Sequence, residues 1–284
     1  MSELQLLKIK MTIVVLGEKN WPAEEDVVVL GFDELDANGL RLLPSGVLEI
    51  HAQDGRWDAV DAVVWRGQFD SHFSIQHCLL GLIRASGVRC LNQADALFNC
   101  SDRISMHRVL VNAGMPVVPS AFFFGSSGYG YFYEPNFPCV LKVGNWHMGY
   151  GKMKVLSKTA WLDAVDMAAI CKDFVAVEPF VEYQRDLRVL VFGDKIHAIE
   201  RKGSQWKANV CPIEMKETEI PEQLALLSRK AASALNVEIF GLDWLQTASG
   251  EWLLLEGNLA PGLSWEGTDL RHGVIQKLRK AGGR

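Results

Sequence analysis

Up to residue 98 the apolar residues come in short runs separated by turn-forming residues. Residues 12–16, 27–30 and 62–65 read as strands, the last two as buried strands of an α/β sheet, since short apolar runs bounded by turn signals suit strands covered on both faces. Residues 73–85 then take helical spacing. Between Asn99 and Pro116 a second helix is expected: Ser101 caps it, Met106, Val109, Leu110 and Ala113 recur mostly every three or four residues, and Gly114 with Pro116 stops it. The aromatic, glycine-rich stretch 122–133 reads as a packed linker. A strand at 139–143, a glycine-rich loop at 144–151, a strand at 152–156, a helix near 160–171 and a strand at 175–180 follow.

Two hairpins come next, and their registers can be derived. Residues 187–192 and 195–200 flank Gly193-Asp194, a two-residue turn that fits the strand twist when positive φ is allowed. Phe192 then faces Lys195 and Asp186 faces Arg201, so alternation puts Asp186, Arg188, His197 and Arg201 on one side, together with Leu190, Phe192 and Ile199. Leu187, Val189, Val191, Ile196 and Ala198 take the other. In the second hairpin, 239–246 and 251–256 flank Thr247-Ala248-Ser249-Gly250. If that turn closes without a bulge, Asp243, Glu256 and Asn258 share a face. Two carboxylates and an amide oxygen form a hard site suited to Mg²⁺ carrying phosphate.

The bulk numbers narrow the field. With 284 residues, 49% hydrophobic and 22% charged, the chain can bury a large core, and a net charge of -5 gives no electrostatic footprint for nucleic acid. No apolar run approaches the ~20 residues that cross a bilayer, and no secretory signal layout is present, so no membrane partner is expected. The six cysteines are scattered without a C-x-x-C pair, which suits reduced thiols in a cytoplasmic protein and argues against structural zinc. Lys142 stands just before Gly144-Asn145-Trp146-His147-Met148-Gly149-Tyr150-Gly151, a loop whose backbone N–H groups can close on phosphate, although the P-loop pattern is absent. By itself such a loop is as often a bare structural turn.

The run Phe137-Pro138-Cys139-Val140-Leu141-Lys142-Val143-Gly144, followed by Met148-Gly149-Tyr150-Gly151-Lys152-Met153-Lys154-Val155, resembles the ATP-binding core of synapsins. More broadly it resembles the ATP-grasp ligases related to glutathione synthetase and the ribosomal-protein glutamate ligases. Further stretches agree in the same order: Asn99-Cys100-Ser101-Asp102-Arg103, Val177-Glu178-Pro179-Phe180-Val181, Asp186-Leu187-Arg188, Trp206-Lys207-Ala208-Asn209, Leu242-Asp243, and Glu256-Gly257-Asn258-Leu259-Ala260-Pro261-Gly262. The resemblance implies an α/β (α+β) ATP-grasp fold: an amino-terminal α/β domain at 1–98, a central and lid domain at 99–180, and a carboxy-terminal antiparallel-sheet domain at 181–284.

It also implies roles. Arg103 and Lys142 bind nucleotide, with Gly144, Met148, Gly149, Gly151 and Lys152 closing over it. Glu178, Phe180 and Val181 form the hinge that reads adenine, and Asp186 accepts ribose hydroxyls. Lys142, Arg188 and Arg201 are the catalytic cations over the triphosphate or acyl-phosphate. Asp243, Glu256 and Asn258 bind Mg²⁺ or Mn²⁺. Arg66, Arg188 and Asn209 meet the substrate. The implied activity is ATP-dependent joining of a small-molecule or peptide carboxylate to an amine through an acyl-phosphate, releasing ADP and phosphate, in a protein expected to form a homodimer. The rival is a synapsin-like, non-catalytic ATP-binding regulatory or scaffolding protein.

Glu256-Gly257-Asn258 keeps the E-x-N ending of the ligases, which favours catalysis. Two positions depart from the pattern. Arg103 stands where lysine is usual, a rigid planar fork in place of a point charge. After Asn209 the sequence runs Val210-Cys211-Pro212-Ile213 where the glutamate ligases are glycine-rich. Blander readings compete at single residues: Arg66 as a surface salt bridge, His147 as a solvated loop residue, His197 as a packed strand residue, and Cys139 as a small buried hydrophobe facing away from Lys142.

Overall fold

The computed structural model describes residues 11–35, 39–51, 55–68, 73–124, 133–147, 149–203, 206–207, 210, 212–265 and 268–282. Met148 and Asn209 lie outside them. The chain divides into two compact units, residues 1–67, 74–98 and 262–284 in the first and residues 68–73 and 99–261 in the second. The segment 262–284 thus clusters with the amino-terminal unit, apart from 181–261 with which the sequence reading groups it.

In the first unit, β1 (Ile13–Leu16) and β2 (Val27–Leu30) precede β3 (Leu40–Leu42), β4 (Leu48–His51) and β5 (Trp57–Ala59), then β6 (Ala62–Trp65), α1 (Phe73–Ser86), β7 (Arg89–Leu91) and α2 (Ala94–Asn99). The order β2-β1-β6-β7 is parallel throughout, while β3, β4 and β5 form a small antiparallel sheet. β6 is buried along its whole length as expected, and so is β1, but β2, also expected to be buried, is buried only at Leu30 because it is the terminal strand of the sheet.

The second unit runs α3 (Arg103–Asn112), β8 (Ala121–Phe123), β9 (Cys139–Val143), β10 (Lys152–Val155), α4 (Lys158–Ile170), β11 (Val175–Pro179), β12 (Arg185–Phe192), β13 (Lys195–Gly203), β14 (Pro212–Glu217), α5 (Glu222–Leu235), β15 (Ile239–Gln246) and β16 (Trp252–Asn258). The chain returns to the first unit with β17 (Ser264–Trp265), β18 (Thr268–Asp269) and α6 (Arg271–Gly282). Two local expectations need correction. The cap of α3 is Asp102, whose carboxylate accepts the amide of Ser105 at 2.8 Å, not Ser101. Residues 121–123 form a strand paired with β11 where a linker was expected.

Two sheets make up this unit. In the order β10-β9-β11-β8, alternate residues Cys139, Leu141, Val143, Val155, Val175 and Val177 pack on Trp161, Ala164, Val165 and Ala168 of α4. The opposite phase is left with Val140, Lys142, Lys152, Lys154 and Glu178. In the order β14-β13-β12-β15-β16, Trp244 on one face is fully buried and its indole donates to Ser228 of α5 at 3.1 Å. The other face carries Asp186, Arg188, Arg201 and Asp243.

Candidate active site

The β12–β13 register is the one derived above: Asp186 opposite Arg201, Arg188 opposite Ile199, Leu190 opposite His197 and Phe192 opposite Lys195. β15 lies against the other edge of β12 with Asp243 facing Arg188. The β15–β16 turn departs from the bulge-free expectation. Thr247 donates its amide to Glu251 at 2.9 Å, so Gln246 meets Trp252, one residue further along than a four-residue turn gives. A bulge after the Trp244–Leu254 pair then leaves Leu255 extra and sets Glu256 directly opposite Asp243. The two one-residue displacements cancel in facing, so the acids share a face as expected, but by another route.

Asp186, Arg201, Asp243 and Glu256 meet the polar phase of the smaller sheet in a cleft lined by both charged and apolar side chains. Lys142, Lys152, Glu178, Asp186, Arg201, Lys207, Asp243 and Glu256 supply its charged part, and Val140, Phe180, Val181, Leu245, Leu255 and Trp206 most of its apolar part. Lys142 and Glu178 are buried, with Nζ 2.5 Å from Oε2. The contact is an ion pair without hydrogen-bond alignment, and among the described residues the ammonium makes no hydrogen bond. The other oxygen of Glu178 accepts from Ser120 at 3.0 Å. Arg188 grips Asp243 with two parallel bonds of 2.5 and 2.8 Å, and Arg201 pairs with Asp186 through Nε at 2.9 Å while reaching Asp243 at 3.2 Å. Glu256 accepts from Lys152 at 2.8 Å and Arg103 at 3.1 Å.

Protonation follows from this balance of burial and charge. Burial works against ionised Glu256, yet Lys152, Arg103 and Lys142 outweigh it and hold the carboxyl well below its ordinary range. Asp243 is likewise lowered, burial being overcome by Arg188 and Arg201. For Asp186 burial wins over Arg201 and the carboxyl is pushed up to about 6. Burial also lowers Lys142, against the pull of Glu178.

Arg103 ties the glycine loop to this cluster. Besides Glu256 it donates to the carbonyls of Gly144 at 3.4 Å and Trp146 at 3.2 Å, and its amide donates to Asn145 Oδ1 at 2.9 Å. Lys207 holds the far side of the loop through the Gly149 carbonyl at 2.9 Å. Gly144 (φ +57) needs to be glycine twice over, because a Cβ there would stand 2.2 Å from Asp173. Its amide is spent on the Phe174 carbonyl and that of Phe180 on Pro138, so neither is open to a ligand here. Asn258 turns its oxygen to the Ala260 amide at 2.9 Å. Arg66 lies in the first unit and is buried, donating to Glu18 at 2.7 Å, so its pair is not the surface salt bridge of the blander reading. Cys139 packs against α4, away from Lys142, and burial raises its thiol to about 11.

Alternation from Lys142 and Asp243 makes Val140 and Leu245 foreseeable as lining residues. Leu255 had no signal, because only the bulge brings it to the cleft. The carboxylate pair with the Asn258 amide is an oxygen-only set that suits Mg²⁺, which commonly takes one or two carboxylates plus substrate phosphates. Among the described residues no three His, Cys, Asp or Glu side chains cluster at metal-binding range, so such a site rests on that pair and the amide.

The family described as "Synapsin, ATP binding domain" matches residues 87–243. A probable alpha-L-glutamate ligase of Haemophilus influenzae is 28% identical over 189 residues, covering 62% of this chain and 61% of that protein. The ATP-grasp ligase PsnB, solved with a phosphomimetic variant of its minimal precursor, Mg and ADP, superimposes with a TM-score of 0.69 at 17% identity, over 96% of this chain and 99% of its own. D-alanyl-alanine synthetase A of Vibrio cholerae gives 0.69 at 13% identity, over 97% and 99%.

Proposed function

The chain belongs to the family of the synapsin ATP-binding domain and has the ATP-grasp fold, and from that premise we propose that it is an ATP-dependent carboxylate–amine ligase. The observation that carries the reading is Asp243 directly opposite Glu256, both held ionised, beneath Lys142, Lys152, Arg103, Arg188 and Arg201. Asp243 is buried and Glu256 half-buried, so keeping both ionised depends on the cations around them.

In this reading the apolar part of the cleft takes adenine against Val140, Phe180, Val181, Leu245 and Leu255, and Asp186 accepts the ribose hydroxyls. The donors of Lys142 go to phosphate oxygens. Asp243, Glu256 and Asn258 would hold Mg²⁺, or Mn²⁺ in its place, which would supply positive charge beside the phosphates. Arg188 and Arg201, now bound to acids, turn their forks to the transferring phosphoryl group and the carboxylate it joins. The carboxylate oxygen attacks the terminal phosphorus and ADP leaves. The amine then attacks the acyl carbon, phosphate departs with the bonding pair, and the amine gives up a proton. Arg103 and Lys207 keep the glycine loop closed so that water does not intercept the acyl-phosphate.

Arg66 is the proposed recogniser of a substrate carboxylate and Asn209 a further substrate contact. An amino acid or peptide substrate fits the names of the similar ligases. The cytoplasm suits the five unpaired cysteines among the described residues, and none of the described helices is long and apolar enough to cross a membrane. The test is ADP release from Mg-ATP across a panel of amino acids and short peptides, with mass detection of the product. Release that needs both a carboxylate and an amine, with a product lighter than their sum by one water, is expected. Tight ATP binding without turnover across the panel would instead favour the non-catalytic reading.

A further inference from the structure

Three lysines share the polar phase of the smaller sheet, and they are used differently. Lys142 pairs with Glu178 and Lys152 with Glu256, whereas Lys154 sets its ammonium over the ring of Phe180, 3.3 Å from the centroid. The register accounts for the difference. Lys152 faces Lys142, just before the glycine loop, while Lys154 faces Val140, one of the apolar residues of the cleft. Two residues along a strand carry Lys154 about 7 Å away from Lys152, towards that apolar part. β9 lies between β10 and β11, and Phe180 directly follows β11, so the Lys154 stem crosses β9 at Val140 to reach the ring.

The ring is held by three contacts. An ammonium is drawn to the electron-rich face of an aromatic ring, and 3.3 Å is well inside the ~6 Å over which that attraction acts. Trp206 meets Phe180 at 72° with centroids 6.3 Å apart, an edge-to-face arrangement. The Phe180 amide donates to the Pro138 carbonyl at 3.0 Å, so the backbone is tied and the ring's direction is left to its side-chain torsions. Those torsions are what the ammonium and the indole fix. Phe180 and Trp206 both line the apolar part of the cleft beside Val140 and Val181, so a base placed there packs against a wall whose orientation a cation sets.

We propose that Lys154 is a positioning residue for the nucleotide base: it holds the Phe180 ring as one wall of the base slot and acts on the base through that ring. The proposal rests on the nucleotide reading of the cleft but not on turnover. Isothermal titration calorimetry of the full chain with Mg²⁺ and a non-hydrolysable ATP analogue, without carboxylate or amine, therefore tests it. Lys154→Met keeps the length of the stem, removes the charge and should weaken binding about fivefold. Lys154→Arg, whose guanidinium also stacks on aromatic faces, should stay within about twofold of the wild type. In a Phe180→Leu background there is no ring to hold, so adding Lys154→Met should cost nothing further. A charge acting directly on phosphate would cost the same factor in both backgrounds. That result, or unchanged affinity in Lys154→Met, would overturn the proposal. Thermal melting checks that each variant folds. Should Phe180→Leu not fold, the comparison of Lys154→Met with Lys154→Arg decides, since a loss common to both removes the role. Binding by the wild type without turnover would count against the ligase and leave Lys154 in place, whereas turnover with a Lys154→Met variant that binds normally would do the reverse. A wild type that does not bind the analogue would remove both.

Discussion

In the β12–β13 hairpin a two-residue turn carries the register straight to Asp186 and Arg201, whereas in β15–β16 a longer turn and the bulge at Leu255 each displace the ladder by one residue before Glu256 is reached. The first hairpin therefore presents a cation–acid pair whose place follows from counting back from the turn. The second presents an acid whose partner depends on where the extra residue sits. The difference shows up in chemistry as well: burial prevails over the pairing of Asp186, while Glu256, ringed by three cations, is held ionised.

The sharpest way to break the comparison is Glu256→Gln. If the bulge exists to set a charged acid against Asp243, the neutral isostere should cut ADP release by about 10²–10³-fold, in the range seen when one electrostatic element of a site is removed. Nucleotide should still bind, because the apolar slot and Lys142 are untouched. Full turnover in the variant would remove Glu256 from the metal set.

Asp186 tests the first hairpin through pH. Its pKa is raised from 3.8 to about 6, so the stability linked to this group is greatest below the unfolded value and is lost as pH rises through about 6. Nucleotide affinity should run the other way, since only the ionised carboxylate accepts both ribose hydroxyls. KM for ATP should rise about tenfold one unit below that pKa, and Asp186→Asn should flatten the profile. A wild-type KM that is level between pH 5 and pH 8 would sever Asp186 from the ribose.

Arg103 joins the second hairpin to the glycine loop. Lysine at this position keeps the charge near phosphate but cannot span Glu256 and the two carbonyls with one planar group. Arg103→Lys should leave KM for ATP within about twofold and let ADP release outrun amide formation by a similar factor, as water reaches the acyl-phosphate. Unchanged coupling between ADP and product would show that Lys207 alone suffices to hold the loop.

What could be read beforehand follows the same divide. The parallel strands, the glycine-rich loop and the β12–β13 faces were legible, because each depends on local pattern and turn chemistry, whereas which strand lies at the sheet's edge was not: β2, expected to be buried, is covered only at Leu30. The bulge at Leu255 was not, since nothing local marks which residue a ladder will skip. Nor were the engaged amides of Gly144 and Phe180, whose acceptors, Phe174 and Pro138, lie far along the chain. The helix α5 went unassigned although Leu224, Ala231 and Leu235 line its buried side and Asn236, with φ of 54, ends it in the left-handed conformation. The placement of 262–284 depends on long-range packing, which a motif ending at Gly262 does not encode.

The smallest expected effect isolates the turn itself. Gly193 has φ of +56 and Asp194 is not among the residues of positive φ, the pattern of a turn with glycine at its first central position. Alanine there must adopt a left-handed backbone, at a cost of about 1 kcal/mol, which in a chain of this size lowers Tm by about 2–4 °C. The apolar face of β12 and β13, buried at Leu187, Val189, Val191 and Ala198, still permits only one register, because a one-residue slip would turn those side chains over to the charged side. Gly193→Ala should therefore melt earlier in a thermal scan and leave KM for ATP where it was. A shift in KM without loss of Tm would mean that the turn, and not the buried face, sets where Asp186 and Arg201 meet.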